Sequence, residues 1–128
     1  MRAKIPTERQ IQVALFQHVE YLTNCVDPAW GLLCSYPLQR GNDVLWLKLR
    51  MQEGAKKGWP DLFLPVAKGG YHGLFIELKR KGNKPSESQI ELLNKLKKQG
   101  YCAECLIVDD SLQVVEFIRN YLDGKILK

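Results

Sequence analysis

The chain has 128 residues, of which 45% are hydrophobic and 26% charged. This composition is typical of a folded globular protein, and the length predicts one domain over residues 1–128. No apolar run is long enough to span a membrane, and the N-terminus lacks a signal-peptide core, so we expect a cytoplasmic protein without membrane contact. An excess of 19 Lys and Arg over 14 Asp and Glu gives a net charge of +5, which favours a polyanionic partner.

The first half of the chain predicts two helices and a short strand. Thr7–Gln10 matches a capping box, and the apolar spacing that follows predicts a helix to about residue 23. Residues 32–36 predict a short strand that ends at Pro37. After a polar loop, Asp43 is positioned to cap a second helix that runs to about Gln52.

The second half predicts strands before and after a third helix. Residues 61–66 and 74–79 read as two strands, and the Gly69-Gly70 connection between them favours an antiparallel hairpin. Ser86–Gln89 forms a second capping box, which opens a helix closed by Gly100.

The last strand and helix complete the predicted order. Residues 102–108 are almost continuously apolar, which predicts a central strand covered on both faces. Asp109 or Asp110 then caps a final helix. The order α-β-α-β-β-α-β-α predicts an α/β fold with a mixed β-sheet flanked by helices.

Three charged residues stand out because they fall at or within the two apolar strands of the hairpin. Asp61 begins the first strand, and Glu77 and Lys79 share one face of the second, since side chains alternate along a strand. If the strands pair, Asp61 can lie beside Glu77, where two carboxylates about 4 Å apart repel by about 4 kcal/mol at an effective dielectric of 20. A divalent cation removes that penalty, and oxygen ligands suit Mg²⁺. The pattern predicts a metal-dependent phosphodiesterase site.

Basic residues flank this site in the sequence. We predict contacts with DNA phosphates from these side chains: Lys56, Lys57, Arg80, Lys81 and Lys84. Lysines farther along the third helix read as solvated surface residues.

Four cysteines raise the alternative of a zinc site. Cys102 and Cys105 form a Cys-x-x-Cys pair, but residues three apart on a strand face opposite sides and cannot bind one ion together. No second pair has matching spacing, so we expect buried thiols and no zinc.

The ordered set of motifs resembles the VRR-NUC family of the PD-(D/E)XK nuclease superfamily. The resemblance is carried by Gly58-x-Pro60-Asp61, the run Phe75–Arg80, Pro85-Ser86-x-x-Gln89 and the Gly100-Tyr101 step. It spans nearly the whole chain from Glu8 onward. The small size resembles the stand-alone members found in phages, which suggests a phage or prophage in a bacterial host.

The resemblance implies a restriction-endonuclease-like core with one site per subunit. It implies that Asp61 and Glu77 bind Mg²⁺ or Mn²⁺ together with the backbone carbonyl of Leu78. It implies that Lys79 orients the attacking water and offsets charge on the phosphorus.

Two further residues enter the site through the resemblance. Glu8 would complete the acidic cluster directly or through a metal-bound water, and Gln89 would line the site from the third helix. One loop departs from the family pattern, because Pro37 is followed by Leu38-Gln39 where an Asn is usual. Asn42 is an uncertain substitute, so this loop stays outside the predicted catalytic set.

Structural roles compete with the catalytic ones for several of these residues. Asp61 could cap a turn, Glu8 could favour a helix dipole, and Gln89 could serve only its capping box. Glu77 and Lys79 could form an exposed pair on an edge strand.

At the level of function, the sequence predicts a metal-dependent endodeoxyribonuclease. The stand-alone relatives suggest a homodimer that cuts branched DNA such as a four-way (Holliday) junction on opposing strands. The main alternative is a non-catalytic DNA-binding protein that retains the nuclease fold. A zinc module for protein contacts is a second, weaker alternative.

Overall fold

The computed structural model describes residues 4–36 and 43–128, in which four helices, one 3₁₀ helix and four strands alternate. The helices are α1 (Glu8–Cys25), α2 (Val44–Gln52), α3 (Glu87–Lys98) and α4 (Ser111–Leu122), and the 3₁₀ helix is Pro28–Leu32. The strands are β1 (Cys34–Ser35), β2 (Leu62–Leu64), β3 (Leu74–Arg80) and β4 (Cys102–Val108). None of the helices in the described part is both long and apolar enough to cross a membrane.

The helices begin where the capping signals place them. Thr7 and Ser86 each form a complete capping box, in which the cap hydroxyl accepts from a backbone amide and a glutamine side chain reaches back to the cap amide. Asp43 caps α2 by accepting from the Trp46 amide, and Asp110 caps α4. The predicted helix starts are therefore confirmed. They could be predicted from the sequence because a cap interacts only with residues in its own first turn.

The four strands form one mixed sheet in the order β1-β2-β3-β4. β1 pairs antiparallel with β2, β2 pairs antiparallel with β3, and β3 pairs parallel with β4. The predicted hairpin is therefore confirmed. The prediction of a central last strand is wrong, because β3 is interior and β4 lies at an edge of the sheet. The predicted cover of both faces is also incomplete, because Ile107 of β4 is 53% exposed. An apolar run of residues carries no information on whether another strand lies beyond it.

The two faces of the sheet pack against different helices. One face and the helices α1 and α4 form the larger core, which includes Leu74, Ile76 and Leu78 of β3. The other face meets α3 through a smaller cluster that contains Phe75, Leu93, Leu96 and Ala103. Because Glu77 alternates with Ile76 and Leu78, its side chain emerges on the smaller, α3-covered face.

The segment before β1 differs from its prediction. Asp27 accepts from the Ala29 amide and Pro28 follows it, so a 3₁₀ helix forms there and takes in Leu32, which the sequence placed in a strand. Trp30 from this turn is buried in the larger core. The departure from the family pattern at Leu38, Gln39 and Asn42 lies outside the described residues.

Candidate active site

The pairing of β2 with β3 sets the two predicted metal-binding carboxylates against each other. Leu62 pairs with Ile76 and Phe63 with Phe75. The same register continued by one residue sets Asp61 opposite Glu77, on the same face of the sheet. Residues opposite one another on antiparallel strands have Cβ atoms roughly 5 Å apart, so the two carboxyl groups meet.

Pro60, the residue before Asp61, determines which backbone groups of Leu78 are left without a partner on the neighbouring strand. Asp61 Oδ2 accepts a hydrogen bond of 2.8 Å from the backbone amide of Leu78. Continued once more, the register places Pro60 opposite Leu78, and a proline has no amide hydrogen to donate. Since the amide and carbonyl of a strand residue point toward the same neighbouring strand, the Leu78 carbonyl faces the edge where Asp61 lies. The Pro-Asp pair therefore leaves a carbonyl oxygen beside two carboxyl groups without a ladder partner from Pro60.

Glu77 is the buried centre of the site, with only 2% of its surface exposed. Its Oε1 accepts from Gln89 Nε2 at 3.0 Å and lies 3.5 Å from Lys79 Nζ. Its Oε2 is buried and accepts from no N–H or hydroxyl group among the described residues, and the carboxyl lies close enough to Asp61 for the two to share a proton in a hydrogen bond. A buried, unpaired carboxylate oxygen is costly, so this atom calls for a proton or a cation.

The electrostatics of the pair lead to the same conclusion. Burial first, and then the neighbouring Asp61 carboxyl, raise the pKa of Glu77 to about 8, although Lys79 opposes the shift. Burial also raises the pKa of Asp61, against the opposing hydrogen bond from Leu78. Both groups therefore resist ionisation while no cation lies between them. The residues present fit a hard divalent cation, which would replace the proton and satisfy Glu77 Oε2.

Gln89 performs both of the roles that the sequence left open. Its side-chain oxygen accepts from the Ser86 amide at 2.8 Å, which completes the capping box of α3. Its side-chain nitrogen donates to Glu77. The first turn of α3 thus supplies a donor to the buried carboxyl.

Glu8 lies at the start of α1 close enough for its carboxylate to raise the pKa of Asp61. Its Oε1 accepts from Asn83 Nδ2 at 3.1 Å and from the Arg80 amide at 3.4 Å. Within residues 4–36 and 43–128, no three His, Cys, Asp or Glu side chains are grouped closely enough to hold one metal ion. Glu8 is therefore adjacent to the carboxyl pair but held by β3 and the turn after it.

The five basic residues predicted to contact DNA differ in their surroundings. Four of them are exposed lysines: Lys56, Lys57, Lys81 and Lys84. Arg80 is half-buried, and its Nη2 donates to the Ile5 carbonyl at 3.0 Å. Arg80 thus anchors the segment before α1, and the lysines are the residues free to meet phosphates.

Cys105 is a residue of this site that the sequence analysis missed. β4 pairs with β3 so that Cys105 lies directly beside Glu77, and burial followed by the Glu77 charge raises the pKa of its thiol. The signal was the parallel β3–β4 register, which the sequence alone does not reveal. Cys102, three residues earlier, is buried in the larger core on the other face, as predicted. The prediction of buried thiols is wrong for the other cysteines, because Cys105 is only half-buried and Cys25 and Cys34 are exposed.

A mixed four-stranded sheet flanked by helices, with facing carboxyl groups on adjacent strands, defines a restriction-endonuclease-like fold. The model of the VRR-NUC domain matches residues 6–110. Among solved structures, a VRR_NUC domain protein is similar, with 27% sequence identity and a TM-score of 0.75, over 95% of this chain and 93% of that chain. No curated protein matches the chain. The chain belongs to the VRR-NUC family, as its motifs indicated.

Proposed function

We propose that this protein is a metal-dependent endodeoxyribonuclease that hydrolyses phosphodiester bonds of DNA. The observation that carries the proposal is the pair of carboxyl groups of Glu77 and Asp61, of which Glu77 is buried beside Lys79 with no N–H or hydroxyl donor for its Oε2 among the described residues. If Glu77 had only a structural role, an apolar residue at this position would give a more stable fold, because burying a carboxyl group is costly. The buried carboxyl therefore favours a functional role. The membership of this chain in the VRR-NUC family, which is nuclease-like, supports the same activity.

Asp61, Glu77 and the Leu78 carbonyl would hold Mg²⁺ or Mn²⁺. When bound, the ion would polarise a phosphoryl oxygen and lower the pKa of a coordinated water. Lys79 would orient the attacking water and stabilise the negative charge that develops on the phosphate. Gln89 would hold the Glu77 carboxylate in one orientation through its hydrogen bond. Glu8 would complete the acidic surroundings through a bound water.

The preferred substrate we propose is branched DNA, such as a four-way junction, cut on opposing strands by a homodimer. The domain is small, so two copies are a physical route by which it can engage an extended substrate. A two-fold dimer presents two equivalent sites to two strands. The four exposed lysines would contact phosphates at each site.

The deciding experiment incubates the protein with labelled four-way-junction DNA and with matched linear duplex, in Mg²⁺, Mn²⁺ or EDTA. Glu77→Ala and Lys79→Ala serve as variants. Cleavage that requires a metal and is lost in both variants supports the nuclease, and preference for the junction supports the substrate. Equal cutting of both DNAs keeps the nuclease and removes junction selectivity. If the protein binds DNA but cleaves it with none of the metals, the nuclease proposal fails and the protein is a non-catalytic DNA-binding protein that retains the fold.

A further inference from the structure

The face of the sheet that carries the two carboxyl groups also carries a tyrosine beside them. β1 and β2 pair with Ser35 opposite Leu62, and the Tyr36 amide donates to the Asp61 carbonyl at 2.8 Å. This register places Tyr36 opposite Asp61, on the face to which Asp61 and Glu77 point. The Tyr36 ring therefore borders the carboxyl pair on the β1 side.

Trp59 is a second aromatic residue on this face, two residues before Asp61. Its ring centre lies 5.7 Å from that of Phe75 at an interplanar angle of 87°, and 6.2 Å from that of Tyr36 at 58°. By contrast, Phe63 and Phe75 stack at 4.4 Å and 16°. Within residues 4–36 and 43–128, no parallel ring therefore covers a face of the indole. Trp59 and Tyr36 are called the aromatic pair below.

A backbone turn holds the indole in position. The Trp59 amide donates to the Lys56 carbonyl at 3.3 Å, and the Lys56 amide donates to the Tyr36 hydroxyl at 2.9 Å. Gly58 has a φ of +82°, and a Cβ there would lie 3.4 Å from Ser88 Oγ in the first turn of α3. The turn is thus packed between β1 and α3, so Trp59 is placed beside the carboxyl pair before any ligand binds.

Several groups around the aromatic pair are left for a ligand. Trp59 is half-buried, and its indole N–H donates to no group in the described part of the chain. The Tyr36 hydroxyl accepts from the Lys56 amide but keeps its own hydrogen to donate. Lys56 and Lys57 are exposed on the same turn. An aromatic face beside two cations suits a nucleotide, because its base is flat and its phosphate is anionic.

We propose that Trp59, with Tyr36 beside it, stacks on an unpaired DNA base next to the phosphate that the carboxyl pair engages. The indole is close enough for that base, since the two residues from Trp59 to Asp61 span at most about 7 Å. The site then takes nucleotides that have left the double helix, as at a branch point or in a single strand. The inference rests on the proposed function and names the kind of nucleotide that its site takes.

A base inside a continuous duplex fits the aromatic pair less well. Its faces are already stacked on neighbouring bases, so it must leave the stack before the indole can contact it. Stacking on an aromatic side chain also tolerates any sequence, because every base has a π face. The arrangement therefore favours selection of DNA by its structure. If Trp59 only filled the smaller core, the presence of a base would not change its contribution.

The first test measures binding by fluorescence anisotropy in EDTA, so that metal-dependent cleavage does not interfere. The probes are a labelled short oligothymidylate and an abasic strand of the same length and charge. Trp59→Leu keeps an apolar side chain but removes the stacking ring. We expect it to weaken oligothymidylate binding by about 10- to 100-fold and to leave abasic-strand binding within about twofold.

Two further variants serve as controls for this binding test. Trp59→Phe keeps a ring that can stack on a base and contact Phe75, so it should bind oligothymidylate within about fivefold of wild type. Tyr21→Leu removes a ring that is 64% exposed and lies about 20 Å along α1 from Glu8. It should change the binding of neither strand. Circular dichroism checks that each variant is folded.

A second test applies the same comparison to cleavage. The cut in a branched DNA is mapped first, and the base next to it is then replaced by an abasic nucleotide. Loss of that base and Trp59→Leu should each slow single-turnover cleavage by about 10- to 100-fold. The two losses should not add, because each removes the same contact.

Equal binding of the two strands by wild type, or an equal loss on both strands in a folded Trp59→Leu variant, overturns the proposal. The nuclease is scored separately. Metal-dependent cleavage with additive losses removes the stacking contact and keeps the nuclease. Base-dependent binding through Trp59, with no cleavage in any metal, keeps the stacking contact and removes the nuclease.

Discussion

The side-chain amide of Gln89 connects the start of α3 to the buried carboxyl of Glu77. Its oxygen accepts the Ser86 amide at 2.8 Å, and its nitrogen donates to Glu77 Oε1 at 3.0 Å. Because the cap amide fixes the oxygen end, the nitrogen end is left to face the carboxyl. A local helix-start motif therefore orients a hydrogen-bond donor toward the buried carboxyl of the candidate active site.

This relationship separates the effects of two substitutions. Ser86→Ala removes the cap hydroxyl and should cost about 1 kcal/mol of stability. It keeps the backbone amide that orients Gln89, so cleavage should stay within about threefold of wild type at a temperature where both are folded. Gln89→Ala keeps the Ser86 cap but removes the side-chain bond that returns to the Ser86 amide and the bond to Glu77, and cleavage should fall at least about tenfold, the effect of about 1.4 kcal/mol. Thermal unfolding and single-turnover cleavage measure the two effects. If both variants lose the same amount of cleavage activity, Gln89 contributes only to the start of α3 and its bond to Glu77 has no effect on cleavage.

The raised pKa of Glu77 predicts how stability depends on pH without metal. Between its ordinary value of 4.5 and about 8, the folded protein keeps a proton that the unfolded chain has released. Stability from this group is therefore full below about pH 4.5 and declines as pH rises through 8. Glu77→Gln lacks this decline, so its advantage over wild type should grow with pH and reach about 1–3 kcal/mol at pH 8. Denaturant titrations at several pH values in EDTA measure the difference. A constant difference would contradict the shift.

The affinity for a divalent metal should rise with pH, whereas the stability of the metal-free protein falls, because both depend on the proton held between Asp61 and Glu77. A cation that replaces the proton between Asp61 and Glu77 binds more tightly as pH rises toward 8. Mn²⁺ at about a hundred times its dissociation constant should stabilise wild type by about 2.7 kcal/mol. Thermal shifts with Mn²⁺ should be larger at pH 8 than at pH 6 and absent in Asp61→Asn. A shift that persists in Asp61→Asn would place the ion elsewhere.

Lys79 should affect chemistry more than metal binding. Its Nζ lies 3.5 Å from Glu77 Oε1, on the same face of β3. Lys79→Ala should lower the single-turnover rate by about 10²–10³, the usual effect of losing a group that stabilises transition-state charge. The Mn²⁺ thermal shift should remain. If that shift disappears with the activity, Lys79 instead maintains the metal site.

The exposed lysines near the site should act through the salt dependence of DNA binding. Lys81→Ala and Lys84→Ala should each lower the slope of log affinity against log salt by about 1, whatever the sequence of the DNA. Lys98→Ala, at the far end of α3, is the exposed control and should leave the slope unchanged. Binding by an inactive Glu77→Ala variant across a salt series measures this. If all variants show the same slope, these lysines do not contact phosphates and the DNA binds to another face of the protein.

Features that depend on nearby residues could be predicted from the sequence. The capping signals at Thr7, Asp43 and Ser86 placed three helix starts, since each cap acts within one turn. The Gly69-Gly70 connection indicated the hairpin, and alternation along β3 put Glu77 and Lys79 on one face. The family followed from the order and spacing of short motifs.

Other features depend on contacts between distant segments. The edge position of β4, the placing of Cys105 beside Glu77, and the hold of Asn83 and Arg80 on Glu8 all follow from how strands and helices pack. The exposure of the apolar residues of α2 likewise depends on which segments pack against this helix, and the sequence made no prediction of it.

The sequence by itself therefore determined which groups make up the candidate site, namely the carboxylates and the lysine, and the local signals that start each helix. Only the tertiary structure decided the environment of that chemistry. Burial of Glu77 and its pKa of about 8 arise from α3 and from Asp61, which lies sixteen residues before it in the chain. Solvent exposure and charge–charge distance are properties of the packed chain, and no short stretch of sequence carries them.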